Sequence, residues 1–215
     1  RAFVMQFSAG VISGTTQLTR FSTNDRQRPP TAPDVQAAIQ IDERIRHALA
    51  SGKLLTLSVD PKGLAVAQRE LARRFGLKVV DFDEIVLTQL EKQAQEWEVD
   101  WNVLLSADAA PAGSVDAQNF ATVLGEVWPK VEAQLLNDDQ PGVLVNLGLA
   151  ARWQRMTLFA KLANACMYRE RPPLVALIAS PMTPDYRPIL DGQAVFVTIN
   201  TTDYGRIPRA WLENA

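Results

Sequence analysis

The chain has 215 residues, 47% of them hydrophobic and 21% charged, with a formal net charge of −2. That is enough apolar material for one substantial domain, and the balanced charge gives no electrostatic reason to expect nucleic acid or an anionic membrane as partner. A single cysteine excludes an intrachain disulfide, which fits a reducing, cytoplasmic setting, and no apolar run approaches the ~20 residues that span a bilayer.

The opening Arg1-Ala-Phe-Val-Met5 has neither an initiator methionine nor a signal-peptide pattern, so the chain is expected to be a piece of a longer polypeptide. Residues 1–23 are rich in β-branched and aromatic side chains and broken by Gly10 and Gly14, the composition of a hairpin or edge appendage. Asn24 to Pro33 is polar and carries three prolines, as an extended linker does. The chain therefore divides into a segment 1–33 and an α/β domain 34–215.

Asp34 is placed to cap a helix that runs to about Ala50, with Ala38, Ile41, Ile45 and Leu49 on one face. His47, the only histidine, lies off that stripe, which leaves a metal site or Ser-His dyad without support. Leu54 to Val59 is a short apolar run followed by the turn Asp60-Pro61-Lys62-Gly63, and Leu64, Ala67, Leu71 and Phe75 then stripe a helix. Gly76 is suited to the left-handed turn that ends it, and Leu77 to Phe82 reads as a second strand. So short a return demands that the two strands run parallel.

Asp83 is expected to cap the next helix, with Val86, Leu90, Ala94, Trp97 and Trp101 along its apolar face, and residues 107–113 to form a loop. Ser114 or Asp116 opens a long helix that Gly125 and Pro129 should bend or divide. Val143 to Leu147 is a third strand; one helix then presents Leu149, Trp153, Met156, Phe159, Leu162 and Cys166. Leu174 to Ile178 and Ala194 to Ile199 are the fourth and fifth strands, and a short helix over residues 207–214 carries Trp211. Four of the five tryptophans sit on apolar stripes and read as core, while Trp211 is left between core and interface. The order of elements predicts an open, mostly parallel sheet of about five strands with helices on both faces, either doubly wound or resembling a degenerate P-loop ATPase.

In such a sheet the carboxyl ends of the strands share one rim, where ligands usually bind. That rim offers Asp60 and Lys62, Asp81 with Asp83, and Asn146 with Ser180 beyond. Oxygen donors gathered there would suit a divalent cation; the plainer reading makes Asp60 and Asp83 helix caps. A working phosphate loop needs GxxxxGK[ST] after the first strand. Asp60-Pro61-Lys62-Gly63 lacks it, and Asn146-Leu147-Gly148 lacks the acidic pair of a hydrolase. No GxGxxG follows a strand, and the protein-kinase motifs are absent. No residue is therefore assigned to catalysis and no metal site is assigned.

Three stretches carry a family likeness: Val99-Asp-Trp-Asn-Val-Leu-Leu-Ser-Ala-Asp-Ala-Ala-Pro-Ala-Gly-Ser114, Pro141-Gly-Val-Leu-Val-Asn-Leu-Gly-Leu-Ala-Ala-Arg-Trp153, and Ile189-Leu-Asp-Gly-Gln-Ala-Val195 with Arg206-Ile-Pro-Arg-Ala-Trp-Leu-Glu-Asn214. With them, the chain from about Ile45 onward resembles the carboxy-terminal region of the PglW-type serine/threonine kinases of bacterial phage-defence islands, the BREX type and its relatives. The resemblance implies a cytoplasmic module beside a kinase domain that these residues do not contain. The parent would use ATP and magnesium; this segment would hold no cofactor. Its expected role is regulation or protein interaction, with other phage-defence proteins, the parent kinase domain or a second copy of the chain as partners. The alternative is a nucleotide- or metal-binding domain that uses the acidic rim.

Overall fold

The computed structural model describes residues 32–180, 189–190, 193–194 and 204–213. The appendage and linker expected before residue 32 lie outside them, as does most of the strand expected over 194–199. Helix α1 (Ala32–Ala50) leads into strand β1 (Leu54–Val59), a single 3-10 turn (Pro61–Gly63) and α2 (Leu64–Phe75). Strand β2 (Lys78–Asp81) is followed by α3 (Phe82–Glu96), α4 (Trp101–Asp108) and α5 (Val115–Leu136). Then come β3 (Gly142–Val145), α6 (Gly148–Arg152), α7 (Thr157–Met167) and β4 (Leu174–Ala179). The two-residue strands β5 (Ile189–Leu190) and β6 (Gln193–Ala194) pair antiparallel, and β7 (Tyr204–Arg206) and α8 (Arg209–Glu213) complete the order.

Five strands form one open parallel sheet in the order β2-β3-β4-β1-β7. The four expected strands lie side by side and point the same way. Among the described residues the fifth strand of this sheet is β7, with Thr56 opposite Tyr204 and Ser58 opposite Arg206, while the strand expected over 194–199 lies almost wholly outside them. Three residues containing a glycine make too short and too polar a run to announce a strand. Because β3 and β4 stand between β1 and β2, α2 crosses about 14 Å of sheet, three inter-strand spacings. Its 12 residues span about 18 Å, enough to do so and to pack on β3 and β4 on the way.

Alternation along the strands divides the core in two. Leu55, Leu57, Val59, Val143, Val145, Val175 and Leu177 face α1, α2 and α8. Leu54, Val80, Leu144, Leu174, Ala176 and Ile178 face the layer of α3, α4, α5, α6 and α7. Strands β1 and β3 are buried along their whole length, as a sheet covered on both faces requires.

Several helix boundaries differ from expectation. α1 starts at Ala32, with Pro33 in its first turn, where a missing N–H is harmless, and Asp34 inside the helix. The cap of α3 is Asp81, whose carboxylate accepts from Glu84 N at 3.2 Å; Asp83 lies within the first turn. The stripe expected to run through Trp101 breaks at Trp97, and Asp100 caps a separate α4 that reaches into the first two residues of the expected loop. Trp97 is exposed as a result. The single helix expected after β3 is two, parted at Trp153–Met156, with Gln154 at φ 56°. Conversely, α5 runs unbroken through Pro129. Pro129 and Gly125 are both on its exposed side, so the Gly125 carbonyl that loses its intrahelical donor faces solvent.

Candidate functional site

The carboxyl ends of β2 and β3 bring three of the five candidate residues together. Asp81 spends one oxygen on capping α3 and with the other accepts from the Asn146 side-chain amide at 2.7 Å. Asn146 follows β3 in the left-handed region, φ 55°, a conformation that asparagine tolerates better than most side chains. Asp83 turns toward the start of α6 and accepts from Leu149 N at 3.3 Å. Burial pushes the Asp83 carboxyl above its ordinary value; the Leu149 N–H partly offsets this, and the neighbouring Asp81 charge adds to it.

Asp60 and Lys62 do not join them. They follow β1, which β4 separates from β3, placing them about 10 Å along the rim. Both are exposed, and the Asp60 carboxylate accepts from Lys62 N at 3.0 Å, closing the 3-10 turn. Gly63 N donates to Asp60 O at 2.8 Å, and Pro61 has no N–H. The turn also passes beneath α8: a Cβ on Gly63 would lie 2.6 Å from Leu212 Cδ1. Asp60 thus caps the 3-10 turn, while α2 itself follows Gly63 without a side-chain cap. Ser180, buried after β4, is equally committed to structure: its Oγ accepts from Ile189 N, and its carbonyl accepts from Arg206. Among the described residues no group of three or more His, Cys, Asp or Glu is placed to hold a metal ion.

Two features elsewhere had no sequence signal. Between α4 and α5 lies a cavity of about 580 Å³, lined by Trp97, Val103, Leu104, Phe120 and Val123 among others. Beside it the chain exposes large apolar groups: Val103 (60%), Leu105 (50%) and Val115 (71%). Scattered exposed apolar residues are ordinary, but an exposed one such as Val103 at the wall of an apolar cleft is what a contact surface offers. The second feature is a cavity at the opposite end of the sheet, around Arg171 and Cys166. A stretch such as Arg169-Glu170-Arg171-Pro172 reads as a solvated loop, and only the fold shows that its second arginine points inward.

The fold and rim thus define an open parallel α/β domain whose strand ends are largely occupied by their own capping. No helix among the described residues is long and apolar enough to cross a membrane. No family model matches the chain and no solved structure matches it. Among curated proteins it is similar to the probable kinase PglW of Streptomyces coelicolor, 29% identical over 191 residues. The match takes in 85% of this chain and 12% of that protein, so the chain is similar to a region of a PglW-type protein.

Proposed function

We propose that this chain is a non-catalytic regulatory or protein-interaction domain of a cytoplasmic, kinase-type antiphage-defence protein of the BREX-like kind, built on an ATPase-like core that does not handle nucleotide. The similarity to a protein named as a probable kinase supports the kinase context. The sheet order, with β4 inserted between β1 and β3, supports an ATPase-like ancestry.

The observation that carries the non-catalytic reading is the β1–α2 connection. A phosphate loop presents a nest of free backbone N–H groups to its ligand. Here four residues join strand to helix, Lys62 N and Gly63 N are used within the turn, proline removes a third donor, and Asp60 would repel phosphate. The partner favoured for the apolar cleft of α4 and α5 is the kinase-bearing remainder of the same polypeptide, since the chain covers 12% of the length of its relative.

The test mixes the purified 215-residue chain with the separately produced kinase portion of its parent and follows complex formation and autophosphorylation. Binding that Val103→Glu with Leu105→Glu abolishes, the fold being intact by circular dichroism, is the expected result. The alternative, a nucleotide- or metal-binding domain, draws on the meeting of Asp81, Asp83 and Asn146. Calorimetric binding of magnesium-ATP at millimolar concentration, lost in Asp60→Ala or Asp81→Ala, would establish that alternative and overturn the proposal.

A further inference from the structure

Residues 93–129 hold six acids, Glu96, Glu98, Asp100, Asp108, Asp116 and Glu126, and no lysine, arginine or histidine. The whole chain balances 24 acids against 22 Lys and Arg, so this is a stretch of one sign in an otherwise slightly basic sequence. The cleft of about 580 Å³ between α4 and α5 is lined entirely from within that stretch, with Trp97, Val99, Val103, Phe120 and Val123 supplying most of its apolar wall.

Two of the six acids are met inside the domain: Asp108 receives Arg152 at 2.8 Å, and Glu96 has Lys130 at 3.4 Å. Glu98, Asp100, Asp116 and Glu126 are exposed and form no ion pair among the described residues. Asp100 caps α4 and Asp116 stands in the first turn of α5, which accounts for their presence but not for the lack of any base beside them. Three of these carboxylates lie at the cleft: Asp116 lines it, and Glu98 and Asp100 flank the lining residue Val99. Trp97 and Val103 in the same lining are exposed. An open apolar hollow is thus bordered by charge of one sign.

We propose that this cleft receives an amphipathic helix whose apolar side chains enter between α4 and α5 and whose flanks carry lysine or arginine. A groove between helices takes a further helix through the side chains it repeats at three and four residues. Because a helix is about 10 Å across, a hollow of this volume takes those side chains and leaves the helix body across the mouth, beside Glu98, Asp100 and Asp116. Basic flanks are attracted there, whereas acidic flanks meet like charge with no base to relieve it. The inference rests on the interaction-domain reading and adds the chemistry of the partner.

The experiment titrates the 215-residue chain into three fluorescent helical peptides of about 18 residues. They share one leucine face and carry lysine, glutamine or glutamate at every other position. The lysine peptide should bind about tenfold more tightly than the glutamine peptide and lose most of that margin as salt rises to ~0.5 M, while the glutamate peptide should not bind. Glu98→Gln with Asp116→Asn should bring the lysine peptide down to the affinity of the glutamine peptide, and Val103→Asn should weaken both. All three positions are exposed, and circular dichroism checks the fold; if a variant does not fold, the wild-type comparison of the three peptides decides alone. Equal affinity for the lysine and glutamine peptides, or lysine-peptide binding untouched in a folded Val103→Asn chain, would overturn the assignment. The two readings fail separately. A kinase portion that binds while the lysine and glutamine peptides bind equally removes the basic helix and keeps the interaction domain; a kinase portion that does not bind while the lysine peptide does removes that partner and keeps the basic helix.

Discussion

Trp211 lies 1% exposed between α1 and α2, with the Arg74 guanidinium 4.6 Å from its ring centroid and its indole N–H donating to Asp42 at 3.2 Å. Asp42 also receives Arg74 and Arg46, so one carboxylate ties α1, α2 and α8 together. Trp211→Ala should lower the unfolding free energy by roughly 3–5 kcal/mol, the range for emptying a buried aromatic site. Trp211→Phe should lose far less, because it keeps most of the packing and gives up one hydrogen bond worth about 1 kcal/mol. Urea midpoints of the two variants check both. A finer test falls on Asn146. Asn146→Gly and Asn146→Ala both forfeit the bond to Asp81, but only alanine must be forced to φ 55°. Alanine should therefore be the worse of the two by about 1 kcal/mol.

Among the elements, α5 runs against a rule that residue type alone suggests. Proline inside a helix usually breaks it, yet Pro129 is accommodated because its neighbours on the other face, Val127, Trp128 and Val131, anchor the helix in the core. Burial there outweighs the lost backbone bond without abolishing its cost. Pro129→Ala, on the exposed side, should then stabilise the domain by up to about 3 kcal/mol in chemical denaturation. Ser114→Ala should do the reverse by about 1 kcal/mol, since Ser114 Oγ accepts from Ala117 N at the start of the same helix.

The same balance explains what could be read beforehand. Continuous apolar runs bounded by turns, Leu54–Val59 and Leu174–Ile178, gave parallel strands and their direction, because burial on both faces leaves that pattern little choice. Breaks within apolar stripes, at Trp97–Asp100 and Trp153–Met156, were not legible. Hydrophobic spacing continues across them, and only tertiary packing decides that the chain turns. At the rim, residue types gathered Asp60, Lys62, Asp81, Asp83 and Asn146 on one edge, but which of them meet depends on strand order, a property of the whole sheet. Arg171 carried no pattern at all.

At the scale of the molecule, three carboxylates among the described residues are shifted from their ordinary values and bear on the response to acid. Burial pushes Glu70 up, but hydrogen bonds and charge from Arg73 and Arg69 outweigh it and hold the group below its ordinary value. Asp138 follows the same logic: burial raises it, while Lys78 and the Gln140 N–H, with Lys78 and Arg171 charges nearby, bring it lower overall. Both groups have folded pKa values beneath their unfolded ones. Their stabilisation is complete above the unfolded value of about 4 and is lost as pH falls through the depressed folded values. Asp83 has the opposite sign. Its raised folded value opposes folding at neutral pH, and the penalty is relieved on acidification. Denaturation between pH 3 and 7 should show stability declining at the acid end and a shallower decline in Glu70→Gln. Asp83→Asn should be at least as stable as wild type at pH 7, since its amide oxygen can still accept from Leu149 N.

The place of β7 has a consequence for synthesis. Thr56, near the start of the domain, pairs with Ala176 on one side and finds its partner on the other only in Tyr204. A ribosome that has translated everything up to β4 has therefore released a central strand whose second flank is bare, and Leu54–Val59 is as adhesive a segment as the domain contains. Messages cut short before Tyr204 should yield insoluble product rather than a smaller soluble protein, and chaperone demand should be greatest just before the final ten described residues emerge.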